Sequence, residues 1–408
     1  MSRIDPRAQY EIIGVEVVEE VDLDGDGSVS ERIAQPGDSS GAPLSGLRGF
    51  HPGWFGAVMG TAIIGVAASL NPGHLPSLAS SARVTGQIMT IVSFALALGL
   101  VIPYLGRIFL HPEAALADLR SPSVGALYGT LPGGILVLAA TFASVGPTWF
   151  AASTVHTTVA WLDWVGIPLA LGVSVLFAFL LFVRAELDPE AVNGSWFIPP
   201  VVNIVVPLVL TPLVPGVSPT SARTLLFLGY GFWGMGFILY LVLLTMLYQR
   251  LTMHALPHAG LAPSLWIGLG PIGVGSLALL RLAAVSAPVF GIYATSVQLA
   301  SKIVATMLWG FGAWWLLAAV ALLAHYLRSG ALPYGVGWWG FTFPLGAFTV
   351  STLALAGAWS LTSLQWVGAG LFVLLVAFWV LVAVGTLRSL GAQRRSALSS
   401  PTISFSHR

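Results

Sequence analysis

The chemistry open to this chain is limited by how few charged side chains it has and by where they lie. Only 8% of its 408 residues are charged. Ten of the sixteen Asp and Glu residues fall between Asp5 and Asp38, and none follows Glu190. The six others lie between long apolar runs or at their ends: Glu113, Asp118, Asp163, Glu186, Asp188 and Glu190. Cation channels and proton-driven pumps usually carry Asp or Glu at membrane depth. This distribution therefore favours anions, which amide dipoles and helix termini stabilise.

Three further groups of residues have types that could bind an ion. Arg281 is the one cation inside an apolar run, where it attracts an anion or snorkels to the outer interface, and both interpretations stay open. His254 and His258 have i, i+4 spacing, but no third ligand accompanies them, so we expect no metal site. Residues 22–27 match the first half of an EF-hand loop, yet Ile33 stands where that loop needs a bidentate Glu. We therefore expect an acidic, disordered tail there.

Apolar residues dominate the elements that must position these groups. Hydrophobic residues make up 56% of the chain, and its mean hydropathy is +0.87. A membrane-spanning helix needs about 20 mainly apolar residues. Ten such runs occur, near 52–70, 86–108, 124–144, 164–184, 196–214, 223–247, 264–286, 303–327, 337–357 and 365–387. Trp338 and Trp339 are among the aromatic residues at run ends, which we assign to the membrane interface. No cysteine is present, which excludes disulfides and thiolate chemistry.

The arginines predict the orientation of these ten spans. With the N-terminus inside, the inner loops and tails hold thirteen of them: Arg3, Arg7, Arg32, Arg48, Arg107, Arg120, Arg184, Arg250, Arg328, Arg388, Arg394, Arg395 and Arg408. The outer loops hold only Arg83, Arg223 and Lys302. The positive-inside rule therefore places both termini in the cytoplasm. We expect a multi-pass protein of the cytoplasmic membrane, in contact with the lipid bilayer.

Segments broken by Gly and Pro recur in the odd-numbered spans. They cover 53–65, 129–140, 197–210, 265–280 and 340–355, with centres spaced by roughly 70 residues. Such breaks free backbone groups that lipid does not satisfy, so they are tolerated where a helix lines a water-filled cavity. They also allow close helix packing without any pathway. Their regular spacing favours an inner ring of five broken helices inside an outer ring of five straight ones.

Five ordered motifs resemble the tellurite-resistance/dicarboxylate transporter family. They read PGWFGAVMGTAII (52–64), ADLRSP (117–122), FIPPVVNIVVPLVLTP (197–212), LWIGLGPIG (265–273) and WWGFTFPLGAFT (338–349). This family includes malic acid and C4-dicarboxylate transporters, sulfite efflux pumps and plant slow anion channels. The resemblance covers residues 50–390 and leaves only the tails outside it.

The resemblance implies an all-α integral membrane fold. Ten transmembrane helices would form five helical hairpins in a pseudo-fivefold arrangement around a central pore, and the protein would be a homotrimer. It also implies that a phenylalanine of the ninth helix blocks the pore, which would be Phe343, with Phe341 as the alternative. Further pore-lining candidates are Thr61, Pro132, Asn203, Pro207, Pro271, Thr342, Pro344 and Thr349.

We expect three regions and one class of cargo. Residues 1–48 form the cytoplasmic acidic tail, 49–388 the anion transport domain and 389–408 a cytoplasmic C-terminal tail. The cargo is a small anion, with malate and related C4-dicarboxylates first and sulfite, chloride or nitrate as alternatives. A membrane-embedded enzyme is the alternative of another class, but no convergent catalytic set is visible. We expect no enzyme activity, cofactor or nucleic-acid partner.

Overall fold

The computed structural model describes residues 46–74, 76–330 and 332–399, and all regular structure in these ranges is helical. The α-helices are α1 (Phe55–Ser69), α2 (Ala79–Leu110), α3 (Pro112–Arg120), α4 (Thr130–Val145), α5 (Ala152–Phe182), α6 (Ile198–Leu210), α7 (Pro219–Met253), α8 (Leu269–Ala284), α9 (Ala287–Phe290), α10 (Ala294–Arg328), α11 (Thr342–Trp359) and α12 (Thr362–Ser399). The EF-hand-like string at 22–27 lies outside the described residues, as does nearly all of the predicted 1–48 tail.

Among the described residues, ten segments are long and apolar enough to cross a membrane, which confirms the ten predicted spans. They are Pro52–His74, Pro76–Leu110, Gly125–Thr148, Ala152–Phe182, Gly194–Leu213, Pro219–Met253, Ala259–Ala284, Ala287–Arg328, Val336–Trp359 and Thr362–Ala392. The even-numbered segments are longer than predicted, because their helices continue through polar residues at which the apolar runs end.

The fourth segment shows that one acidic residue, Asp163, does not lie where the sequence pattern predicted. The sequence pattern put Asp163 in the connection before a span that starts at 164, whereas α5 begins at Ala152 and carries Asp163 in its interior. This side chain is buried within the protein. The expectation that the acidic residues outside the N-terminal tail lie in loops or at span ends is therefore wrong for Asp163, which lies within the candidate span Ala152–Phe182.

Length and burial divide the spanning helices into two classes. The inner helices α1, α4, α6, α8 and α11 have 13 to 18 residues, and the outer helices α2, α5, α7, α10 and α12 have 31 to 38. In each inner segment, 72–83% of an 18-residue apolar stretch is buried inside the protein, against 17–28% in each outer segment. Both classes are apolar, so the outer set offers its apolar surface to lipid and the inner set to protein.

The helices pair as five hairpins arranged around a ring. Each inner helix packs against the outer helix that follows it in the chain. Each inner helix also contacts the next inner one, and α11 contacts α1 as well as α8, so the ring is closed. Gly273 permits one of these contacts, because a Cβ there would lie 2.5 Å from the carbonyl carbon of Ala347 on α11. The proposed inner and outer rings are thus formed by the odd and even spans.

Candidate anion pathway

All five inner helices start in the same way. A 3₁₀ turn precedes each α-helix: Pro52–Trp54, Gly125–Gly129, Gly194–Phe197, Ala259–Gly268 and Val336–Phe341. The Gly and Pro residues of the repeated segments favour such turns, because proline suits the first turn of a helix and glycine lets chains approach closely. The first N–H groups of a helix lack partners within it, and the helix dipole makes that end positive.

A cavity of about 100 Å³ lies where these five starts meet. Every inner helix or its preceding turn contributes to the wall, for example through Gly56, Thr130, Ile198, Gly270 and Phe343. A single water needs roughly 10–15 Å³ of such space. The cavity therefore has room for several waters or for one small anion. Five positive helix ends directed at one space favour a negatively charged occupant.

His51 is the one titratable side chain on this wall within the described part of the chain. Its Nδ1 accepts a hydrogen bond from the backbone N–H of Gly53 at 3.2 Å, so the neutral ring carries its proton on Nε2. Burial lowers the pKa of His51, nearby Asp118 acts to raise it, and Arg107 acts to lower it. Arg107 and Asp118 are themselves paired at 2.6 Å. His51 is therefore neutral at pH 7 and offers a donor rather than a charge.

Two other wall residues have donor hydrogens that no described residue accepts. The Ser264 hydroxyl accepts the N–H of Gly194 at 3.2 Å, and its own hydrogen makes no bond within the described residues. The indole N–H of Trp339 has no acceptor there either, although the residue is only 5% exposed. Among the described residues no Asp or Glu lines the cavity, and the Ser264 hydroxyl hydrogen and the Trp339 indole N–H are donors without an acceptor. Donors without acceptors suit an anion.

Of the two candidate gate residues, only Phe343 lines the cavity. Phe343 and the adjacent Pro344 both belong to the wall, and the ring stands opposite Gly270, where a Cβ would lie 3.7 Å from the Phe343 Cε1 atom. Phe341 instead packs in an aromatic cluster, with ring centroids 5.4 Å from Trp266 and 5.3 Å from Phe378. The ring of Phe341 is held on the side of the outer helix α12, away from the cavity wall.

The remaining polar candidates lie outside the cavity, with their donors directed to nearby backbone. Thr61, Thr342 and Thr349 each donate to a carbonyl three or four residues earlier, at 2.7 to 2.8 Å. Asn203 donates to Pro199 at 2.8 Å, while its carbonyl oxygen has no partner among the described residues. Thr61 also accepts the indole N–H of Trp379 on α12 at 2.9 Å. Their contribution to a pathway stays a prediction.

The other candidates are Pro132 on α4, Pro207 on α6, and Pro271 and Arg281 on α8. The three prolines are buried and outside the cavity wall. Arg281 is exposed in the last turn of α8, at the end of the ring opposite the cavity. This position is compatible with both interpretations made from the sequence, attraction of an anion and snorkelling.

Sequence analysis missed His51, Ser264 and Trp339. Trp339 was assigned to the interfacial belt because a Trp pair at a span end usually lies there, but the structure buries it and places it on the cavity wall. A signal was available for all three: Trp339 belongs to a family motif, and His51 and Ser264 each stand one residue before one.

The comparisons with known proteins agree with this architecture. The sequence profile of the voltage-dependent anion channel family matches residues 49–387. An uncharacterized transporter of Methanocaldococcus jannaschii is 32% identical over 340 residues, which cover 83% of this chain and 93% of that protein. A sulfite efflux pump of Arthroderma otae is 30% identical over 354 residues, covering 82% and 89%. A malic acid transport protein of Schizosaccharomyces pombe is 26% identical over 219 residues, covering 51% and 49%. The chain therefore belongs to the voltage-dependent anion channel family, which confirms the resemblance carried by its five motifs.

Proposed function

We propose that this protein moves small anions across the cytoplasmic membrane through the centre of its inner helix ring, with Phe343 as the gate. The observation that carries this proposal is the convergence of five helix N-termini on one cavity whose described wall has no carboxylate and includes two donors without an acceptor, at Ser264 and Trp339. Each N-terminus is equivalent to about half a positive charge. Five of them favour an anion without the strong, fixed binding that a buried lysine or arginine would impose.

The pathway would work by exchanging hydration for protein donors. An anion that enters the cavity loses part of its water shell to the indole N–H of Trp339, the hydroxyl of Ser264 and the Nε2–H of His51. These contacts are neutral hydrogen bonds, so release remains fast, as conduction requires. The anion then passes Phe343 when its ring moves aside from Gly270.

We further propose the orientation, assembly and organisation of the chain. The excess of arginine on one side puts the cavity at the cytoplasmic end of the ring, with both termini in the cytoplasm. Arg281, at the other end, would attract anions on the outer side. By resemblance to the family, the protein would form a homotrimer with one pore per protomer. Residues 49–388 would be the transport domain, between the tails 1–48 and 389–408.

Malate and related C4-dicarboxylates are the first cargo that we propose. One relative is named a malic acid transport protein, although it matches only half of the chain. Sulfite is the second candidate, because the sulfite efflux pump matches over a longer part of both proteins. Chloride and nitrate complete the set to be tested.

The test is anion flux in proteoliposomes that contain the purified full-length protein. Malate, sulfite, chloride and nitrate are offered separately, at equal pH on both sides, and uptake by protein-free vesicles is subtracted. We expect flux that saturates with concentration for at least one anion, and the preferred anion names the cargo. Absence of flux for all four, with correctly inserted and thermally stable protein, would contradict the proposal and favour the enzyme alternative.

A further inference from the structure

Asp163 is a buried carboxylate that the proposed pathway does not use. It lies in the interior of α5, is 4% exposed, and neither of its carboxyl oxygens has a hydrogen-bond partner among the described residues. Val159 and Gly166 flank it on the same buried face of the helix. Within the ten spanning segments it is the sole acidic side chain. An ionisable group at membrane depth is expensive to retain and usually has a function.

The neighbouring helix is the inner helix α4, which offers Asp163 no charged partner. A Cβ on Gly146 would lie 3.3 Å from the Val155 side chain, and a Cβ on Gly166 would lie 2.8 Å from Leu136. Because α4 and α5 run antiparallel, Asp163 lies against the stretch of α4 between these two contacts. Neither α4 nor α6 contains a titratable side chain. The turns Gly146–Thr148 and Thr211–Leu213, which also contact α5, contain none either.

The charged and titratable groups of the other contacting elements are far from Asp163. Tyr128 lies in the turn Gly125–Gly129, which packs near Phe177 at the opposite end of α5. The helix α3, with Glu113, Asp118 and Arg120, adjoins that turn. Phe177 is fourteen residues from Asp163, or about 21 Å along the helix. On α5 itself, His156 lies two turns before Asp163 on the same side of the helix, about 10 Å away along the axis, and its side chain is exposed. An ionised Asp163 would therefore have no adjacent counter-charge among the described residues.

This environment selects the protonated carboxyl. An unpaired carboxylate in a low-dielectric interior is strongly unfavourable, so the close packing of α5 on α4 requires a neutral side chain. Loss of the proton would require α5 to move away from α4 until water reached the carboxylate. Since α4 begins at Thr130 on the cavity wall and carries Pro132 in its first turn, this movement would reach the pathway.

We propose that Asp163 binds and releases a proton during each transport cycle and so couples anion movement to a proton gradient. The inference rests on the proposed function, because it assumes an anion pathway through the inner ring. A proton that travels with a monovalent anion also makes the step electrically neutral. The chemical class of the second ligand is thus the proton, and its site is the interface between α4 and α5.

The test is uptake driven by a proton gradient in the same proteoliposomes, with the membrane potential held at zero by potassium and valinomycin. The probe is the one of the four anions that gives the fastest flux at equal pH. With a tenfold gradient and one proton per anion, wild-type vesicles should accumulate it up to about tenfold. Asp163→Asn keeps the shape of the side chain and cannot ionise, so downhill flux should persist while accumulation is lost. Ser174→Ala, on the same buried face of α5, should retain both activities.

The outcomes separate this inference from the function on which it rests. Wild-type flux without accumulation would overturn the coupling and leave the anion pathway intact. Accumulation by Asp163→Asn would exclude this residue as the proton site. No flux at equal pH would overturn the pathway and the coupling with it. Asp163→Glu keeps a titratable carboxyl and should accumulate the anion, which makes a second test if the asparagine variant does not fold.

Discussion

Replacement of Phe343 by alanine is the most direct perturbation of the proposed pathway. The ring is 5% exposed, lines the cavity and stands opposite Gly270. In the proposed pathway, this ring must leave its packed position before an anion passes. Alanine removes the ring and leaves the start of α11 unchanged, because Thr342 and Pro344 keep their places in the helix.

The size of the effect follows from the packing that the ring loses when it moves. Burial of a phenylalanine side chain stabilises by about 1.5–3 kcal/mol, and an off-rotamer position costs about 0.5–1.5 kcal/mol. Together these terms would disfavour the open state of the wild type by about 2–4.5 kcal/mol. Each 1.4 kcal/mol corresponds to a factor of ten. We expect Phe343→Ala to raise flux at least about tenfold, with other steps limiting the gain beyond that.

The assay is initial anion flux at equal pH, with Phe341→Leu as the matched control. Phe341 is two residues away and packs in the aromatic cluster with Trp266 and Phe378 rather than on the cavity wall. Its substitution should lower Tm and leave flux per folded protein within about twofold of wild type. Unchanged flux in Phe343→Ala would refute the gate. A rise in flux in Phe341→Leu alone would indicate that Phe341 is the gate instead.

Three other predictions concern the cavity and the ring. Protonation of His51 adds a positive charge to the cavity, so the apparent affinity for anions should increase as pH falls, with a midpoint below pH 6.5 because burial lowers the pKa of His51. In His51→Gln this pH response should disappear when flux is measured at equal pH on both sides. A variant with the same pH profile as the wild type would exclude His51 as the origin of the response. Ser264→Ala and Trp339→Phe each remove one hydrogen-bond donor and keep most of the packing. Each should raise KM for the preferred anion by about 2–10-fold, the loss expected for one hydrogen bond. An unaltered KM in both variants would show that neither donor contacts the anion. Gly273→Ala should destabilise the protein by about 1–3 kcal/mol, because the added Cβ would overlap the backbone of α11. The control is Gly310→Ala, where the added Cβ has no neighbour within 4 Å. Equal Tm values for the two variants would refute this packing argument.

Much of the architecture is already determined by composition and periodicity. Ten apolar runs give ten spanning segments, because only a helix satisfies its own backbone in lipid. The five segments with repeated Gly and Pro became the buried inner helices for the same reason, since broken backbone is tolerated only away from lipid. The ordered motifs identified the family and singled out Phe343 and Pro344. These features depend on local residue type and spacing, which the sequence contains directly.

The site itself was decided by contacts between residues far apart in the chain. Hydropathy does not separate a tryptophan at the interface from one on a cavity wall, and Trp339 was placed wrongly for that reason. The polar groups of Thr61 and Thr342 were predicted to line a pathway, and this stays a prediction, because side-chain direction depends on the helix rotation that packing sets. Asp163 was assigned to a connection because a charge usually ends an apolar run. Only the tertiary structure, by packing α5 against α4, buried that carboxyl inside a candidate span without a hydrogen-bond partner among the described residues.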